Sequence, residues 1–72
     1  MSDNEKIILL EEAFDVDEGT LKPEMCLNDI DEFDSMTKLA LIVMIDENFG
    51  KTITGTDINE FKTVQDIMNI MA

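Results

Sequence analysis

The chain has 72 residues, 44% of them apolar, and sets 17 Asp and Glu against five Lys with no Arg or His, for a net charge of −12. That balance excludes nucleic acid, whose phosphates need Lys and Arg to displace their counterions, disfavours anionic membranes, and favours partners with basic patches that are steered in electrostatically. A chain this short buries only about 60% of the surface it exposes when unfolded, so self-repulsion matters, and stability is expected to rise with salt or divalent cations.

The first predicted helix runs from about Asn4 to Phe14, where Ile7, Leu10 and Phe14 form one apolar stripe at helical spacing. A long connection follows, DVDEGTLKPEMCLNDIDEF, with Gly19 and Pro23 as turn signals. Its apolar residues Val16, Leu21, Leu27 and Ile30 are expected to be pinned to the core, because a loop this long in a small domain is usually functional or tightly packed. Its first twelve residues begin like a calcium loop, with Asp15 and Asp17 in the first and third places. The glycine then falls one place early and Cys26 stands where a bidentate Glu is needed, so an EF-hand is excluded.

The second helix is the strongest, with Asp34 as N-cap, Ser35 opening the first turn, Phe49 at the end and Gly50 at C′. A short third helix is expected near Asp57 to Phe61. The fourth starts at Thr63, which pairs with Asp66 in a capping-box pattern and carries a buried stripe of Val64, Ile67 and Met71 flanked by Met68 and Ile70. With no Trp or Tyr and only four Phe, the interior falls to Ile, Leu, Val and Met, and the six Met make a soft, adaptable interior or surface. The fold class is all-α, a small four-helix bundle forming one domain over residues 1–72. Cys26 is the sole cysteine, so no intrachain disulfide forms. Residues 1–10 lack the features of a signal peptide and no apolar run approaches the ~20 residues of a membrane span. A cytoplasmic monomer without membrane insertion is the expectation.

Catalysis has no support. Without His, Ser35 lacks an obvious general base, and Cys26 has no His partner and lies among acids, a poor setting for a thiolate. Ser35 has a different use. Asp34 already caps the helix, and Lys38, three residues after Ser35, supplies no capping-box partner. The Ser35 hydroxyl is therefore free, at a helix N-terminus whose unpaired N–H groups and macrodipole favour a phosphate. A phosphodiester on Ser35 would sit well there, attached by another enzyme.

The sequence resembles the acyl carrier protein family. The resemblance rests on FDSM (33–36), which is similar to the family's D-S-L attachment motif, on LALIVMIDENFGKTI (39–53), on INEFKTVQDIMNIM (58–71), and more weakly on LEEAFDVDEGTLKPEMCLNDI (10–30). It implies a 4′-phosphopantetheine arm on Ser35, added from coenzyme A by a phosphopantetheinyl transferase to which Asp34 is offered. It also implies an acyl group carried as a thioester to acyl-loading and acyl-using enzymes. Acyl chains would be sheltered among residues such as Ile45, Phe49, Ile58, Phe61 and Ile67.

The departures from the family pattern are specific. Family members serving fatty acid synthesis usually carry acids soon after the serine, where this chain has Thr37, Lys38 and Ala40. Met36, Ala40, Val43 and Glu47 fall on one helical row and, with Thr37, are the expected docking residues for partners with basic or apolar patches. The neighbouring row, Leu39, Ile42, Asp46 and Phe49 with Ile45 beside it, is expected to face the core. A helix this apolar all round is also compatible with both rows being core. Phe33 is expected to anchor the loop, as a hydrophobic staple does. Two alternatives stay open: an aminoacyl or peptidyl carrier, D-alanyl types included, with the same arm, and an acidic helical interaction module with no prosthetic group.

Overall fold

The computed structural model describes residues 2–71, which form four helices and a single 3₁₀ turn: α1 (Asp3–Phe14), the turn (Leu27–Asp29), α2 (Ser35–Phe49), α3 (Gly55–Glu60) and α4 (Val64–Asn69). Among the described residues there is no strand, and the all-α fold read from the sequence holds. α1 packs along α2 and also touches α4.

Local chemistry sets the helix starts. Ser2 caps α1, its Oγ accepting from the Glu5 N–H at 3.3 Å while the Glu5 carboxylate accepts from the Ser2 N–H at 3.3 Å. α1 therefore begins at Asp3, a residue before the sequence reading. Thr54 and Asp57 repeat the arrangement at α3, which accordingly starts at Gly55 and not near Asp57. Thr63 and Asp66 repeat it again at α4, the one box read in advance. At the other end of α2, Gly50 takes the left-handed conformation (φ 65°) and donates its N–H to the Asp46 carbonyl at 3.0 Å. A side chain is disfavoured at that backbone angle.

The long connection, residues 15–34, is tied down at three places. First, the buried Glu11 of α1 reaches into it, and one carboxylate oxygen accepts from the Gly19 N–H (2.8 Å) and the Leu21 N–H (3.0 Å). Second, Cys26 bridges Thr63 in antiparallel fashion. The Leu27 N–H donates to the Lys62 carbonyl at 2.9 Å, and the first two amides of α4, Val64 and Gln65, donate to the Met25 and Pro23 carbonyls at 3.0 and 2.9 Å. Third, Leu21, Leu27 and Ile30 are buried with Leu10, Phe14, Leu41, Ile45, Ile58, Val64, Ile67, Met68 and Met71. Val16 packs against this core half-buried. Full burial of a Leu- or Ile-sized side chain is worth roughly 1.5–3 kcal/mol, so the connection contributes to the core as the helices do.

On α2 the buried row is Thr37, Leu41 and Ile45. This corrects the sequence reading, which turned Leu39 and Asp46 inward and put Leu41 on neither row. Leu39 is 63% exposed, Asp46 is exposed, and Ile42 and Phe49 are half-buried. The helix is apolar on nearly every side, so periodicity could not choose its inner face.

Glu11→Ala removes the only side-chain partner that Gly19 and Leu21 amides have among the described residues. An orphaned buried donor costs about 1–3 kcal/mol. Denaturant melts are expected to show a loss of at least that size, with Glu11→Gln, which keeps an acceptor oxygen, recovering much of it.

Candidate functional site

The site is the start of α2 and the loop that delivers it. Asp34 is extended (φ −108°, ψ −173°) and its Oδ1 accepts from the Thr37 N–H at 3.0 Å. That amide holds the Asp34 carboxyl below its ordinary value by stabilising the ionised form. Asp34 therefore caps the helix as a carboxylate at neutral pH.

Thr37, expected on the docking row, is turned inward and only 8% exposed. Its hydroxyl donates to the Glu32 carbonyl at 2.6 Å. This is a correction with a simple cause. A threonine can occupy a core position when its hydroxyl finds a backbone acceptor, and here the acceptor is the loop just ahead of the helix. One residue thus joins the loop to α2 twice, through its amide and its hydroxyl.

Phe33 is half-buried, and its ring stacks on the buried Phe14 ring with centroids 5.6 Å apart and planes 16° from parallel. It anchors the loop, as expected. Lys38 Nζ lies 5.2 Å from the centre of the same ring and 3.5 Å from Asn59 Oδ1. Such cation–ring contacts contribute about 0.5–1 kcal/mol when exposed.

Between these fixed residues Ser35 is exposed, and among the described residues its hydroxyl makes no hydrogen bond. Its amide likewise has no protein partner among them. α4 is the contrast, since loop carbonyls occupy its first amides. α2 is also the longest helix, 15 residues, and its dipole favours an anion at this end. A serine-linked phosphodiester fits here: the oxygen faces solvent, an unpaired amide lies beside it, and no cap has to be given up.

The other sequence-selected residues fall in two places. Met36, Ala40, Val43 and Glu47 all line one groove between α1 and α2. Met36 is 82% and Val43 47% exposed, so this row is surface. Ile45, Ile58 and Ile67 are fully buried and Phe49 and Phe61 half-buried against the core. None of these five lines the α1–α2 groove. The α1 side of the groove, Leu9 and Ala13, was not singled out from sequence. Their exposure depends on how α1 lies on α2, which no local pattern encodes.

The described residues thus form a small four-helix domain with an exposed serine, unbonded among them, at the head of its second helix. The chain belongs to the phosphopantetheine attachment site family, whose pattern it matches over residues 8–70. The family is defined by covalent attachment of 4′-phosphopantetheine. Carrier domains of this kind meet phosphopantetheinyl transferases and biosynthetic enzymes, and are typically not catalytic themselves. No solved structure matches the chain. No helix of the described residues is long and apolar enough to cross a membrane.

Ser35→Ala is expected to change stability by less than about 0.5 kcal/mol in denaturant melts, as for other exposed, unbonded positions. Asp34→Ala is expected to lower the melting temperature, and Asp34→Asn, also a competent cap, to preserve it at neutral pH. Because the Asp34 carboxyl is lowered in the folded state, its stabilisation is complete above the ordinary carboxylate range and is lost as pH falls through the lowered value. Melts taken from neutral pH to about pH 2 should show wild type losing stability relative to Asp34→Asn, and parallel curves would remove Asp34 from this role.

Proposed function

We propose that this chain is an acyl carrier whose 4′-phosphopantetheine arm is attached to Ser35. The observation that carries the reading is the free, exposed Ser35 hydroxyl beside an Asp34 cap already satisfied by Thr37. Composition supports it, since the chain has two serines, Ser2 and Ser35, and only Ser35 lies within the matched residues 8–70. When bound, the arm supplies a thiol on which a carboxylic acid is held as a thioester.

The chain's own residues do the rest. Asp34 fixes the helix start and presents a carboxylate to the transferase. The Ser35 amide and the α2 dipole face the phosphodiester. Phe33 on Phe14, with the doubly bonded Thr37, holds the attachment point steady against the bundle. Met36, Ala40, Val43 and Glu47 meet the loading and consuming enzymes, while Thr37 remains inside. Where the family usually carries acids after the serine, this chain has the buried Thr37, Lys38 and the half-buried Ala40, and the exposed residues beside them are the apolar Met36, Leu39 and Val43. We therefore read the chain as a dedicated carrier and not the general carrier of a housekeeping fatty acid synthase. The same surface suits an aminoacyl cargo, the second reading.

The test is intact mass after incubation with coenzyme A, magnesium and a broad-specificity phosphopantetheinyl transferase. Wild type should gain one phosphopantetheinyl unit and Ser35→Ala none. Gain on both would move the attachment off Ser35, and gain on neither, with folded protein and several transferases, would overturn the reading. Offered to the enzymes of a housekeeping fatty acid synthase, the loaded protein is expected to be acylated and elongated poorly. Efficient elongation would sink the claim of a dedicated carrier.

A further inference from the structure

Lys38 stands where a helix disfavours a cation. It is the fourth residue of α2 and the only base on that helix, close to the end whose orphan N–H groups carry partial positive charge. The other three helices follow the rule and begin with acids: Asp3 and Glu5 on α1, Asp57 on α3, Asp66 on α4. The first turn of α2 holds none. Lys51 shows the favourable placement, its Nζ donating to the Ile70 carbonyl at 2.9 Å where α4 ends.

The surroundings of Lys38 do not offset this. The chain has 17 acids, yet among the described residues the Lys38 ammonium rests against two neutral groups, the Phe33 ring at 5.2 Å and Asn59 Oδ1 at 3.5 Å. The second contact is long for a hydrogen bond. Asp34, one turn earlier, turns its Oδ1 to the Thr37 amide.

We propose that Lys38 binds the phosphate of the arm, its ammonium leaving Phe33 and Asn59 for the phosphodiester once Ser35 is loaded. The inference rests on the carrier reading and deepens it by naming a residue that holds the linkage and a route by which loading is felt at α3. Residues three apart share a face of a helix, so Ser35 and Lys38 are neighbours there, Ser35 exposed and Lys38 half-buried. A phosphodiester is a permanent anion with two free oxygens. It suits the ammonium, the unpaired Ser35 amide and the macrodipole together, and a charge-assisted hydrogen bond is stronger than a neutral one. Lys38 to Asn59 is the one side-chain hydrogen bond between α2 and α3 among the described residues. Its loss on loading makes the loaded and unloaded proteins differ at α3 as well as at Ser35.

The test is NMR of the wild-type protein before and after treatment with coenzyme A, magnesium and a phosphopantetheinyl transferase, each sample weighed by intact mass. NOEs between the Lys38 ε-methylene and the Phe33 ring, present in the unloaded protein, should be lost on loading, and the Asn59 side-chain amide should shift. Raised salt, which screens an exposed ion pair, should bring the NOEs back. Lys38→Met keeps much of the stem and removes the charge. It should move the phosphorus signal of the loaded protein and leave the Asn59 amide indifferent to loading. Lys38→Arg, whose guanidinium also binds phosphate, should restore the Asn59 response.

NOEs that persist in the loaded wild type would overturn the proposal and leave Lys38 a tie between α2 and α3. A phosphorus signal equal in wild type and Lys38→Met would overturn it too. So would an Asn59 shift of the same size in Lys38→Met, because the arm would then act on α3 without the lysine. The wild-type comparison decides by itself if a variant does not accept the arm. Mass gain with unchanged NOEs defeats the role of Lys38 alone, whereas a folded wild type that gains no mass from several transferases defeats the carrier reading.

Discussion

The three main-chain hydrogen bonds between the long connection and the α3–α4 junction are the constraint on which the rest of this fold depends. A segment running from residue 15 to residue 34 has a large conformational entropy to lose, and side-chain burial alone would leave its backbone groups unpaired. The Leu27 amide and the Met25 and Pro23 carbonyls meet Lys62, Val64 and Gln65, which resolves two problems at once. The connection gains partners, and α4, only six residues long, gains acceptors for amides that a helix start leaves orphaned. A helix of six residues is far below the length that is stable alone. It persists because the loop completes it and because Val64, Ile67 and Met68 are buried.

With its middle fixed there, the connection has one short free run left, and Phe33 and Thr37 take it up. The ring stack on Phe14 and the hydroxyl bond to Glu32 bring the chain to α2 from a set direction. Asp34 then finishes the cap. Phe33, Asp34 and Thr37 each have a structural task, whereas the Ser35 hydroxyl has none among the described residues. A residue so placed is well suited to take an added group without loss of structure.

The sequence was legible where chemistry is local. The Asp34 cap, the Gly50 stop and the Thr63–Asp66 box all depend on residues within a few positions of one another. The same logic also held at Ser2–Glu5 and Thr54–Asp57, where the pattern was present and passed over, so those helix starts were placed late. What could not be read was long-range. The Cys26–Thr63 bridge, the 3₁₀ turn it supports and the Glu11 carboxylate beneath Gly19 and Leu21 join residues whose separation leaves no periodic trace. The inner face of α2 was ambiguous for another reason. Leu, Ile, Val and Met lie on all sides of that helix, and its deciding inward residue is a threonine, a type that reads as surface until its carbonyl partner is known.

Three buried positions, Thr37, Leu41 and Ile45, anchor α2 in the bundle, with Ile42, Met44 and Phe49 packed half-buried against the core, while the outward row of Met36, Leu39 and Val43 is exposed. Under mutation and selection the two sets are separable. Drift along the outer row leaves folding almost untouched and, on the proposed docking role, would alter which proteins this domain meets, whereas the inner three tolerate little change. A domain divided this way can be recruited to a new biosynthetic route by a handful of surface exchanges, without passing through an unstable intermediate.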